Sequence, residues 1–268
     1  MRFLAVLTAL FWFLTPVTAF AGDWEQINDE AGVKVSKMSV EGSPLVAFKG
    51  ETTFEQPIRR VLHVLLDNEH REEWVGRLYT NHIVERTTDF DYVLYQAFEL
   101  PAIFSDRDYV YHGVCTEDAE TGVVTLAMQS IEHEKAPETV GVRAELLNSK
   151  YVLTPSEDGS STHVVVEIHT DPKGMMPNWL TNMIQKDWPV DTLNGIRGQF
   201  GKDHMGEHAL PLDAEREAAK AAEEAAKAAE EAEAAEGEGE AAEGEGAEGE
   251  ATEGEATEGE ATEGEAAE

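Results

Sequence analysis

The sequence predicts an α+β protein in which a long, curved antiparallel β-sheet wraps one C-terminal helix around an internal apolar cavity. Two observations carry this expectation. Six segments that alternate apolar and polar side chains follow one another at hairpin spacing between residues 81 and 170. Helical periodicity appears in only two places, after the first hairpin and after the last strand, so strands do not alternate with helices as a parallel sheet requires.

After Asp23 and Trp24, the stretches VKVSKMSV (33 to 40) and LVAFKGETTF (45 to 54) alternate in polarity. Gly42, Ser43 and Pro44 separate them as a hairpin turn. In QPIRRVLHVLLDNEHREEWVGRL, Pro57 stands near a first helical turn. Ile58, Val61, Leu62, Leu65 and Leu66 share one helical face, which predicts one or two helices. The strands NHIVERT, YVLYQAFEL, RDYVYHGVCTE, VVTLAMQSI, VRAELLNSKYVLT and THVVVEIHT come next, with Asp89, Asp91, Gly122, Pro155 and Gly159 as turn signals. Cys115 is the sole cysteine; it can form no internal disulfide and is expected to be buried as a small hydrophobe. The last helical run, MMPNWLTNMIQKDWPVDTLNGIRGQF, places Met176, Trp179, Leu180, Met183, Ile184 and Trp188 on one face. Pro189 is expected to kink it.

The two ends stand apart from this central region. Residues 1 to 21 combine Arg2, an apolar run from Phe3 to Leu14 and small residues at Ala19 and Ala21, the pattern of a cleaved signal peptide. The apolar run is shorter than the roughly 20 residues that span a bilayer. The expected location is therefore the periplasm or the exterior, and with no cysteine near the cleavage point the lipoprotein route is closed. From Asp213 onward 22 acidic residues face three basic ones, more than half of the net charge of −34. Residues 213 to 236 read as a solvated Ala/Glu helix without an apolar stripe, and 237 to 268 as a disordered Glu/Gly/Ala/Thr repeat. The repeat lacks the ligand spacing of a calcium loop, so its composition is that of a solubilising spacer. So acidic a chain makes nucleic acid and anionic headgroups poor partners.

Four stretches in the middle, residues 22 to 212, carry a family resemblance. They are Trp24 with the AGVKV strand opening, REEW at Arg71 to Trp74, FSDRDYV at Phe104 to Val110, and MMPNWLTNMIQKDWP. In this order they resemble the START family over roughly residues 23 to 204. The resemblance implies a helix-grip fold and non-covalent binding, with room for transfer, of one hydrophobic lipid-like molecule. It also implies a gate made by the last helix and the loop before Arg107, and allows transient membrane contact. No cofactor and no metal are expected. The ligand contacts that the resemblance implies are Trp74, Phe104, Arg107, Tyr111, Met128, Trp179, Met183 and Ile184. Gly113 stands where sterol-binding members carry a second arginine, which speaks against a sterol.

Arg107 and Asp108 are adjacent on a strand and should point to opposite faces; a buried Arg107 would need a carboxylate such as Glu99, or a ligand headgroup. Sequence-local catalytic signatures are absent: no Gly-x-Ser-x-Gly, His-Glu-x-x-His, Cys-x-x-Cys or phosphate loop occurs. A helix-grip cyclase or aromatase acting on a hydrophobic substrate is the alternative function, with Tyr95, Tyr111 and His112 as its candidate groups. A third reading is an interaction module whose acidic tail binds a basic partner. His163, Glu167 and His169 share one strand face, expected to be the outer, wet one opposite Val164, Val166, Ile168 and Thr170, and no metal site is expected there.

Overall fold

The computed structural model describes residues 23 to 243; the segment read as a signal peptide and residues 244 to 268 of the tail lie outside them. Alternating side chains build one ten-stranded sheet: β1 (Glu25–Glu30), β2 (Val33–Ser39), β3 (Val46–Phe54), β4 (Leu78–Thr88), β5 (Asp91–Phe98), β6 (Arg107–Glu117), β7 (Val124–Ser130), β8 (Val142–Arg143), β9 (Glu145–Pro155) and β10 (Thr162–Asp171). The strand order is β1-β2-β3-β10-β9-β7-β6-β5-β4, antiparallel throughout, with the short β8 pairing in parallel with β6. Helix α1 (Ile58–Leu66) and a 3-10 turn, Arg71–Glu73, are inserted between β3 and β4. Helix α2 (Asn178–Gln199) follows β10. This is the expected α+β sheet-and-helix architecture.

The strand absent from the sequence reading is β1, whose EQINDE carries no apolar alternation and is exposed apart from the half-buried Ile27 and Asn28. It is an edge strand with a bulge between Gln26 and Asn28, and the opposite edge, β4, carries three such irregularities. Bulges twist an edge away from further pairing, so both ends of the sheet are blunted.

The sheet's inner face holds the core. Val33, Val35, Leu94, Leu126, Leu153 and Val164 are buried there, and α1 adds Val61, Leu62 and Leu65 from one helical face. Cys115 belongs to the same core at 4% exposure, and burial pushes its thiol up to about 12.

The side of α2 turned to the sheet departs from expectation. The helix is continuous, with Pro189 inside it, and its buried residues are Thr181, Gln185, Pro189, Thr192, Leu193, Ile196 and Gln199. Trp179 and Met183, expected inward, are exposed. The close contact lies at Gly50 of β3, where an added Cβ would come within 2.7 Å of the Pro189 Cβ.

The chain divides into two units, residues 1 to 214 and 215 to 268. Helix α3 begins at the end of the first and fills the described part of the second, running Asp213–Glu243 rather than stopping at 236. Once nucleated, a helix gains one hydrogen bond for each residue it adds, and the alanines and glutamates around Gly237 and Gly239 sustain that propagation.

Candidate functional site

A cavity of about 190 Å³ lies between the inner face of the sheet and α2. Alternation along the strands decides what lines it. Strand β6 contributes Arg107, Tyr109 and Tyr111, and β5 contributes Gln96 and Phe98, with Gln96 opposite Tyr109 and Phe98 opposite Arg107. Met128 of β7, Ser149 and Tyr151 of β9, and Ile168 and Thr170 of β10 continue the wall. Arg71 and Trp74 close one end, and α2 covers the rest with Thr181, Ile184, Gln185 and Trp188.

The charge on this wall is one-sided. Among the described residues that line the cavity there are three arginines, Arg71, Arg77 and Arg107, and no histidine or carboxylate. Arg107 is buried, and it pairs with backbone carbonyls rather than with Glu99: Nε donates to Pro172 O at 2.9 Å, Nη2 to Lys173 O at 3.0 Å, and Nη1 to Ser105 O. Three carbonyls satisfy the fork because it reaches both the strand's own entry and the β10–α2 connection, where Lys173 (φ 50°) and Gly174 (φ 66°) turn the chain back. Arg71 is equally buried, donates to Leu65 O and lies with its guanidinium carbon 5.7 Å from the Trp74 ring centre.

Three polar atoms on the wall have no hydrogen-bond partner: Arg71 Nε, Ser149 Oγ and Gln185 Oε1. The Tyr111 hydroxyl donates to Gln96 Oε1 at 3.0 Å. Burial raises the phenols of Tyr111 and Tyr151 well above the ordinary tyrosine range and takes Tyr109 up to about 12. These phenols keep their protons.

Of the eight residues named from the sequence, Trp74, Arg107, Tyr111, Met128 and Ile184 are on the cavity wall. Phe104 is half-buried in the loop before β6 and lies off the wall, and Trp179 and Met183 face outward at 68% and 51% exposure. Of the three candidate acid–base groups, only Tyr111 reaches the cavity. Tyr95 donates to Asp108 Oδ2 on the other face of the sheet, and His112 Nε2 sits 2.8 Å from Asp91 Oδ1. Gly113 is explained by Tyr92: a Cβ at 113 would come within 2.8 Å of the Tyr92 ring, so that ring occupies the space a larger side chain would take.

The β10 faces divide as expected at Val164, Val166, Ile168 and Thr170, which are buried, but His169 is buried too. A register irregularity between His169 and Thr170 lets consecutive residues turn inward, and Ser43 Oγ covers the His169 ring at 3.4 Å. Glu167 is bound to Lys150 at 3.1 Å. The residues missed by the sequence reading are Ser149, Gln185, Gln96 and Arg71. Only Arg71 left a trace there, as the first residue of REEW. A second cluster, Asp67, His70 and His204, has metal-ligand chemistry away from the cavity.

Fold and site together define a cavity protein, a curved sheet closed by one helix over a largely apolar interior with a few polar atoms. The START domain family model matches residues 11–200, and the chain belongs to that family. A protein of Pseudomonas aeruginosa known only as uncharacterized is 31% identical over 190 residues, covering 69% of this chain and 90% of its own length. The mouse mitochondrial StAR-related lipid transfer protein 7 is 25% identical over 210 residues, 73% of this chain and 56% of that protein. This chain thus spans about half of the mouse protein. Among solved structures, the STAR-related lipid transfer protein fragment of Xanthomonas axonopodis superposes with a TM-score of 0.59 at 27% identity, covering 67% of this chain and 99% of that one. Human STARD10 gives 0.61 at 22% identity over 69% and 76%. No helix among the described residues is long and apolar enough to cross a membrane.

Proposed function

We propose that this protein is exported and binds one lipid-like amphiphile without covalent chemistry, its apolar part along Tyr111, Met128 and Ile168 and its polar end toward Arg71, Ser149 and Gln185. The observation that carries this reading is the set of three polar atoms without partners on residues of a largely apolar wall. A buried donor or acceptor left unpaired costs about 1–3 kcal/mol, so a guest that supplies the missing partners recovers that energy while its chain leaves water. The names of the mouse and Xanthomonas relatives, both lipid transfer proteins, support the same ligand class.

Size argues for a gate. A cavity of about 190 Å³ is comparable with an engineered apolar cavity of ~150 Å³ that holds benzene, and a long-chain lipid is several times larger. Loading therefore requires the wall to open, and we assign the opening to the loop Pro101 to Asp106 and the N-terminal half of α2. Ile103 on the loop and Trp179, Met183 and Ile184 on the helix are large apolar side chains exposed to solvent, and Met175 is exposed just ahead of the helix. Transient contact with a bilayer would bury them during exchange.

The test is native mass spectrometry of the protein purified from its own host, then extraction and identification of what it carries. One stoichiometric amphiphile is the expected result. A protein that is repeatedly empty and takes up no lipid from vesicles would overturn the proposal.

A further inference from the structure

The turn after α1 and the segment after α2 bring together three side chains of the metal-ligating kind, on the far side of Trp74 from the cavity. Asp67, His70 and His204 each offer one ligand atom, and all three atoms lie within 4.8 Å of one another. The carboxylate is held from behind: Asp67 Oδ1 accepts the backbone N–H of Glu69 at 3.0 Å and of His70 at 3.4 Å. Its Oδ2 lies 2.7 Å from His70 Nδ1. The imidazole rings of His70 and His204 are stacked with centroids 3.6 Å apart and planes 1° from parallel.

A second observation points into the same place. Gln199, at the end of α2, is 4% exposed and lines the small pocket formed by Val64, Asp67, His70, Trp74 and His204, and its Oε1 has no hydrogen-bond partner. A buried carbonyl oxygen without a donor, on a residue that lines the same pocket as two imidazoles and a carboxylate, adds a fourth Lewis base to the cluster.

We propose that Asp67, His70 and His204 bind one divalent transition-metal ion of the zinc class, with the Gln199 carbonyl oxygen facing it. Two imidazole nitrogens and one carboxylate oxygen are the donor set of three-ligand zinc sites, which leave the fourth position to water or another neutral oxygen. The ion takes the place of the proton shared between Asp67 Oδ2 and His70 Nδ1, and a rotation of the His204 ring out of the stack aims its nitrogen at the metal. Once bound, the ion ties the turn after α1 to the chain after α2. Trp74 lines both this pocket and the larger cavity, so the tie braces the cavity's end wall.

The experiment is calorimetric titration of the chelator-stripped full chain with ZnCl2, beside His70→Ala, His204→Ala and, as a control, His163→Ala, which alters an exposed histidine on β10. The acidic tail contributes weak, many-site binding to every sample. The expected result is one tighter 1:1 event in the wild type and in His163→Ala, weakened by about 100-fold or more in the other two, since even outer-shell partners cost ~10–100-fold in affinity. Co²⁺ should give the visible absorption of a tetrahedral N/O site in the wild type and not in His204→Ala. Equal metal-free melting temperatures across the set confirm that the variants fold; should His70→Ala fail that check, His204→Ala decides alone, because its side chain lies on a turn beyond α2. No 1:1 event above the tail's background, or one that survives in His204→Ala, would overturn the proposal.

Discussion

Arg107 and Asp108 stand side by side in β6 and serve opposite faces of the sheet. Arg107 reaches into the cavity wall and holds three carbonyls. Asp108, fully buried, accepts from Tyr95 Oη at 3.1 Å, from Val140 N at 2.9 Å and from Arg143 Nε, and so fastens the β7–β8 connection over the outer apolar cluster of Val93, Tyr95, Ala97 and Val110. His169 shows at the same scale how burial couples to pH. Its desolvation holds the imidazole below the ordinary histidine range, so the folded chain disfavours the charged ring that the unfolded chain accepts. A depressed folded-state value makes the unfolded chain bind the extra proton first. The contribution is therefore complete above about pH 6.5, the ordinary histidine value, and declines as the pH falls below it. The urea midpoint of the wild type should drop between pH 7.5 and 5.5 by more than that of His169→Asn. Parallel curves for the two would show that the ring is protonated in the folded state at no cost.

At the scale of elements, the phase of α2 is the instructive case. The sequence contains two stripes on this helix, and the apolar one, Trp179, Met183, Ile184 and Trp188, is the more visible. The structure instead buries Thr181, Gln185 and Pro189, which lie four residues apart in line with Leu193. Leu193 and Ile196 are fully buried, and Gly50 admits Pro189 to the sheet. Packing of the C-terminal half fixes the rotation of the whole helix, and the N-terminal half inherits it. The strands were legible because alternation depends on each residue's own polarity; the helix face was not, because it depends on a glycine more than a hundred residues away in β3. The same reason hid Ser149 and Gln185: one polar side chain in a strand and one in a helix carry no sign of facing a common cavity. Gly113 was legible as an anomaly, but its cause, the Tyr92 ring across the strand pair, was not. If Trp179 and Met183 serve exchange rather than packing, Trp179→Ser with Met183→Ser should leave the melting curve nearly unchanged, within about 0.5 kcal/mol. The rate of lipid uptake from vesicles should fall severalfold. A large loss of stability with uptake unchanged would return both side chains to a packing role.

For the molecule as a whole, charge is divided as unevenly as structure. About half of the net charge of −34 belongs to residues 215 to 268, while the first unit, ending at Ala214, contains the sheet, the cavity and the Arg59–Asp213 ion pair at 2.5 Å. Nothing in the cavity wall comes from beyond Trp188. A chain shortened to Ala214 should therefore melt at the same temperature and take up ligand from neutral vesicles at the same rate. Anionic vesicles separate the two forms, because their surface potential repels the acidic chain over a Debye length of about 30 Å at 10 mM salt and only ~8 Å at 0.15 M. The shortened protein should load faster than the full chain from anionic vesicles at 10 mM salt, and the difference should vanish as the salt is raised. If removing the tail instead abolishes uptake from neutral vesicles, then binding needs the second unit and the cavity alone is not the carrier.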